Sequence, residues 1–305
     1  MSPLWRRRLP WLAALPAVLL VAAAIVAGTG NGHSPFAIPA LAEDELPAPK
    51  QPIPRDPQTL AATLTVNTNA LQRAIDRWRD QGDPVRERPP REVALRALYH
   101  QRIHILLSDR RRLARRTVAR LSPALAAEAR DLIAARRALV RLAGPPPKQP
   151  ARRRWRTGPA LPPGRLLRLY RRAPDRFGVS RRVLAAVNHV ETNFNKLRSR
   201  STAGARGPMQ FIPSTWRAYG MGGDVDDPRD AIMGAANYLR ASGAPPRYRR
   251  ALFAYNPSSL YVAAVLRYMR VIRRDVRAFY ALHAWQVFVR KRGGGLRRVT
   301  GPRPR

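Results

Sequence analysis

The chain has 305 residues, 57 of them Lys or Arg against 19 Asp or Glu, giving a formal charge of +38, and it contains no cysteine. That length allows one globular domain with extensions or two modest domains, and the missing cysteine excludes disulfides, Cys-zinc sites and thiol catalysis. Only Lys50, Lys148, Lys196 and Lys291 are lysines. The arginine excess reads either as a match for an anionic partner or as a compositional bias that raises Arg, Ala, Pro and Gly together. Its spread over every segment favours the bias.

Residues 1–30 read as a membrane anchor or signal segment. Trp5-Arg6-Arg7-Arg8 precedes an uncharged run from Leu9 to Ala27. About 19 residues at ~1.5 Å each span roughly 28 Å, close to the hydrocarbon thickness of a bilayer. The arginines should stay on the cytoplasmic side and leave the remainder outside. Ala40-Leu41-Ala42 resembles a cleavage site but lies far beyond the apolar core, and Val26-Ala27-Gly28 is nearer but weaker. A retained anchor is the preferred reading, and export is the firm one.

Residues 31–57 are a Pro-rich tether. Residues 58–143 carry three helical stretches, and the apolar spacing of Leu64, Leu71, Ile75 and Trp78 marks the first, over about 59–79. The second holds Val93, Leu98, Ile103 and Leu107 and is expected to continue to Leu121, while Ser122-Pro123 opens the third. His100 and His104 share the i, i+4 spacing of a metal pair, but no neighbouring acid or third ligand accompanies them, so they read as packing or surface residues. Arg110, Arg111, Arg112, Arg115 and Arg116 read as a solvated helix face. Residues 144–164 form a Pro/Arg-rich linker.

Periodicity returns over residues 165–290. Ser180 is a good N-cap for a helix that carries Val183, Leu184, Val187 and Val190 and closes at Glu191, the only glutamate after Glu128. Glu191 borders the apolar face at the helix's negative end, so burial and dipole both push its pKa up, as a proton donor at neutral pH requires. One long helix is expected from Ser258 to about Val289, followed by a disordered basic tail over residues 291–305.

Glu191-Thr192-Asn193-Phe194, the stretch from Ser201 to Trp216, Asp227-Pro228 with Ala236-Asn237-Tyr238-Leu239, and Ala254-Tyr255-Asn256 with Tyr261 resemble, in order, the motifs of lytic murein transglycosylases. The likeness is greatest to the membrane-bound B-type, SLT-like branch, and it does not reach residues 1–160. It implies a mainly α fold: a goose-lysozyme-like catalytic domain preceded by the helical region and the membrane segment. It also implies Glu191 as the single acid/base. Ser201 would help position it, and Met209, Gln210, Tyr255, Asn256 and Tyr261 would bind the glycan. Amide and hydroxyl groups that donate and accept, beside flat aromatic faces, suit a saccharide.

The resemblance further implies cleavage between N-acetylmuramic acid and N-acetylglucosamine with a 1,6-anhydro product. Glu191 would act as acid and then as base, without the second carboxylate of ordinary glycoside hydrolysis. Asp175, Asp224, Asp226, Asp227, Asp230 and Asp275 all lie outside the segments that the motifs place at the cleft. The stretch Gly222–Asp230 is too short for a twelve-residue calcium loop, and no metal or cofactor is called for. Peptidoglycan strands are the expected partner, the membrane is engaged through the N-terminal segment, and nucleic acid is not expected. A muramidase of the same fold and a non-catalytic wall-binding module are the rival readings.

Overall fold

The computed structural model describes residues 39–145, 155–291 and 295–302. Its first helix, α1 (Pro57–Gln81), starts where Asp56 accepts from the Thr59 N–H at 2.8 Å and Pro57 takes the first helical position. The next, α2 (Arg91–Asp109), ends earlier than the periodicity predicts. Arg110 leaves helical geometry, and α3 (Arg111–Val118) restarts at a new angle that buries Ala114, Thr117 and Val118 against α1. Ser122 then caps α4 (Pro123–Ala143), which stops at Gly144 in a positive-φ conformation.

Seven further helices follow among the described residues: α5 (Pro163–Phe177), α6 (Arg181–Thr192), α7 (Pro213–Tyr219), α8 (Pro228–Ala241), α9 (Tyr248–Tyr255), α10 (Ser259–Arg274) and α11 (Val276–Ala284). The single closing helix expected from Ser258 is two helices. Asp275 is extended and its carboxylate accepts from the Arg277 N–H at 2.8 Å, so it caps α11 instead of continuing α10. The tail expected to be disordered supplies a strand. Antiparallel β1 (Phe288–Arg290) and β2 (Leu296–Arg298) pair, and Val287, Val289 and Leu197 gather with Trp155 and Val299 into a small apolar cluster.

The helical region and the segment from residue 165 share one core. Leu71, Ile75, Trp78, Leu132 and Leu139 belong to the same apolar cluster as Leu184, Phe194, Tyr261 and Phe279, while Leu60, Leu64, Ile103 and Leu107 form a second cluster within the helical region. Helix α4 lies along α10. On that seam the buried Asp131 pairs with Arg267 at 3.1 Å, Arg270 at 2.6 Å and Arg274 at 2.8 Å, so one desolvated carboxylate is matched by three guanidinium groups.

Residues 155–162 of the expected linker are also tied down. The Gly158 N–H donates to the Lys196 carbonyl at 3.0 Å and the Arg198 N–H to the Arg156 carbonyl at 2.8 Å. No helix among the described residues is long and apolar enough to cross a membrane, and the run from Leu9 to Ala27 lies outside the described residues.

Candidate active site

Helix α6 is fixed on three sides before it reaches Glu191. Val183, Leu184 and Val187 are fully buried along its apolar face. The polar Asn188 interrupts that face, and the Tyr170 hydroxyl donates to its Oδ1 at 2.6 Å. Asn188 Nδ2 and Thr192 Oγ1 both donate to the carbonyl of Pro208, at 2.9 and 2.7 Å. The last turn of α6 is therefore bonded to the start of the Pro208-Met209-Gln210 turn, 16 residues on from Thr192. Asn193 then ends the helix in the left-handed region at φ 49°.

Glu191 is 8% exposed. Burial pushes its carboxyl from the ordinary 4.5 up to about 8, and a hydrogen bond from the Tyr261 hydroxyl to Oε1 at 2.6 Å pulls the other way. Its place in the final turn adds the helix dipole to the forces that disfavour the anion. The group therefore carries its proton at neutral pH and keeps a partner ready for the carboxylate form. Tyr261 comes from the first turn of α10 and stacks parallel to Tyr255, with ring centroids 6.4 Å apart. The Tyr255 hydroxyl donates to the carbonyl of Met209 at 2.6 Å.

A chain of contacts thus joins Glu191, Tyr261, Tyr255 and Met209. Met209 is fully buried, Gln210 is half-buried with φ 50°, and Asn256 is buried at the C-cap of α9, between the two tyrosines in sequence. Gly207 is required in this turn. It has φ 77°, and a Cβ there would come within 1.9 Å of the Val225 carbonyl. The Ser201 hydroxyl oxygen accepts from the Ala205 N–H at 2.9 Å, so it braces its own turn and not Glu191.

Five of the six aspartates after residue 155 have other tasks. Asp227 caps α8, Asp224 and Asp230 accept backbone N–H groups within their loop, Asp226 pairs with Arg206, and Asp275 caps α11. None of them is among the groups that shift Glu191. His100 and His104 are packing residues: both are buried, with ring centroids 4.3 Å apart, against Trp285.

Three supporting residues escaped the sequence reading. Asn188 and Thr192 could have been found as polar positions next to or within an apolar helix face. Lys196 had no such signal. It is buried, its Nζ donates to the carbonyls of His283 and Trp285, and burial lowers its pKa to about 7. It fastens the end of α11 to the turn that follows Glu191.

Residues 168–270 match the family model described as Transglycosylase SLT domain. That domain is associated with lytic transglycosylase, lysozyme-like action on peptidoglycan in the cell envelope, and the match does not distinguish the membrane-bound B-type branch. It contains Glu191, Ser201, Met209, Gln210, Tyr255, Asn256 and Tyr261 and leaves out α1–α4 and Trp285. No solved structure matches the chain.

Proposed function

We propose that the chain is a lytic transglycosylase that cleaves the β-1,4 bond between N-acetylmuramic acid and N-acetylglucosamine, with Glu191 as the only acid/base. The observation that carries this reading is a carboxyl held protonated by burial, with a tyrosine hydroxyl on Oε1 and no second carboxylate among the groups that act on it. Protonated Glu191 gives its proton to the glycosidic oxygen as the C1–O bond breaks, and the acetamido oxygen of the same sugar closes on C1 to carry the developing charge. The carboxylate left behind is stabilised by Tyr261. It takes the proton of the C6 hydroxyl as O6 attacks C1 and the acetamido oxygen leaves, which closes the 1,6-anhydro ring and returns Glu191 to its protonated form.

Gln210 and Tyr255, both partly exposed, supply the sugar-facing side of the site in this reading, the buried Met209 and Asn256 back them from the core, and Ser201 acts one step removed by bracing the neighbouring turn. The apolar run from Leu9 to Ala27, with its preceding arginines, supports an anchor that leaves the enzyme on the outer side of the cytoplasmic membrane.

Mass spectrometry of purified peptidoglycan digested with the full chain tests the reaction. The expected products are muropeptides one water lighter than those with reducing ends. Reducing ends would make the protein a muramidase, and intact glycan with tight binding would make it a wall-binding module.

A further inference from the structure

Six arginines and no acid fall between residues 110 and 120, and all six are exposed: Arg110, Arg111, Arg112, Arg115, Arg116 and Arg120. They belong to the outer side of α3, whose inner side buries Ala114, Thr117 and Val118. Within that helix the charges oppose folding. Arg111 with Arg115, and Arg112 with Arg116, are like-charge pairs at i, i+4. The first turn holds cations where the helix dipole favours anions, and no side chain caps it. Arg111, Arg112, Arg115 and Arg116 form an ion pair with no acid among the described residues, whereas Arg73, Arg77, Arg206 and Arg277 elsewhere on the surface each do. Acids act only at the ends of the face, where Asp109 feels the charge of Arg110 and Asp56 that of Arg120.

The path of the chain into the body places this face near a bilayer. The stretch expected as a loose tether is strapped down from Leu41 on. The Leu41 N–H donates to Thr63 Oγ1 at 3.4 Å, Arg102 donates to the Gln51 carbonyl at 2.7 Å, and the Tyr99 hydroxyl to that of Pro52 at 2.8 Å. Residues 28–38 are thus what separates the apolar run ending at Ala27 from the first described residue, and that length of chain spans at most about 40 Å. A body of this size is itself roughly 45 Å across. Both the strap and α3 meet the start of α1, Leu41 through Thr63 and Arg120 beside Asp56. The apolar cluster that α3 closes, with Leu41, Leu60 and Leu107, holds no residue after Ile133, while Tyr261 beside Glu191 belongs to the other core.

We propose that the arginine face of α3 docks the body on anionic phospholipid headgroups of the bilayer that the N-terminal run enters. This extends the anchor reading of that run and does not depend on the reaction. Clusters of four to eight basic residues beside a membrane segment bind anionic lipid, at roughly fivefold in binding per residue. The short connection keeps headgroups at high effective concentration, so a contact of modest strength holds. The placement favours lipid over wall polymer, because the glycan site lies in the other core and the strap brings the bilayer to this one. The headgroups also supply the anions that the like-charge pairs and the uncapped first turn lack.

The test uses the full chain with Ala119→Cys, which puts one fluorophore at the exposed end of α3 in a chain with no other cysteine. It is reconstituted with vesicles of phosphatidylcholine alone or mixed with phosphatidylglycerol, each carrying a headgroup quencher. The expected result is quenching in the mixed vesicles that is absent from phosphatidylcholine and lost in high salt. Arg111→Gln, Arg112→Gln, Arg115→Gln and Arg116→Gln together should abolish it, since four arginines at roughly fivefold each amount to several hundredfold. Lysine at the same four positions should keep it. The lipid and salt comparisons use the native arginines, so they stand if the glutamine variant misfolds. Equal quenching in both vesicles, or quenching that survives the glutamines, would overturn the assignment. So would an unquenched label, and if the glutamine variant then also loses co-sedimentation with purified peptidoglycan, the face belongs to the wall polymer. Flotation of the same samples reports the anchor separately. A chain that floats with both vesicles and is quenched in neither keeps the anchor without the docking face, and one that floats only with the anionic vesicles keeps the face without the anchor.

Discussion

Glu191→Gln is expected to lower peptidoglycan cleavage by about 10³-fold while leaving the protein folded, since positioned acid/base groups contribute roughly 10²- to 10⁴-fold. Glutamine has nearly the same shape, and its amide oxygen can still accept from Tyr261 at the position of Oε1. What it cannot do is give up or take a proton at the glycosidic and C6 oxygens. The same substitution has an opposite effect on stability, with a defined pH dependence. In the unfolded chain Glu191 ionises near 4.5, whereas in the fold it does so at about 8. Between those values the folded state holds a proton that the unfolded state has released. The stability this group supports is fully present below 4.5, falls as pH rises, and is gone above about 8. The glutamine variant does not titrate. Thermal melts should therefore coincide near pH 4 and separate as pH rises, with the variant melting higher at pH 9. A variant that melts lower at every pH would mean that the carboxyl is a structural group and not a strained acid.

Tyr261→Phe should cut the cleavage rate by roughly 10- to 100-fold, because a hydrogen bond to a charged group is worth about 1.5–3 kcal/mol and each ~1.4 kcal/mol is a factor of ten. The ring remains, so its stacking with Tyr255 and its place in the core are retained. The lost hydroxyl bonds the carboxylate form of Glu191, so its removal raises a pKa that already stands at about 8. The rate of the wild type should fall as pH passes about 8 and the acid ionises, and in Tyr261→Phe that alkaline limb should move to higher pH. A loss of rate with an unmoved limb would assign the hydroxyl to the sugar and not to the acid.

Much of this site could be read from the residue order. Glu191 stood out because it ends an apolar helix face in a chain with no later glutamate, and both facts are local. Tyr261 was named only through the motif resemblance. Its grip on Glu191 spans 70 residues, and no periodicity reports a contact at that distance. Periodicity also shows which face of a helix is buried and not against what. Helices α1, α2 and α4 read equally well as a small bundle or as helices packed on the next domain, and they share a core with α6 and α10. Asp275 sits between two apolar stretches of the right period, so one helix was the natural reading until its carboxylate was found capping α11. The tail failed for a compositional reason. Its arginines and glycines suggest disorder, but Leu296 in β2 pairs with Arg290 and Val299 beyond it docks beside Val287 and Val289. Ser201 shows the limit of carrying a role across, because its hydroxyl is bonded within its own turn.

The most direct test of the central claim is a carboxyl ¹³C NMR titration of the protein labelled in glutamate. The chain has six glutamates: Glu43, Glu45, Glu87, Glu92, Glu128 and Glu191. Burial raises Glu128 to about 7 as well, so the Glu191 resonance is assigned by its loss in Glu191→Gln. The account predicts that this resonance titrates near pH 8, the acid being protonated where the enzyme works. A midpoint near that of a free glutamate, at about 4.3, would contradict it, because an already ionised Glu191 has no proton to give to the glycosidic oxygen.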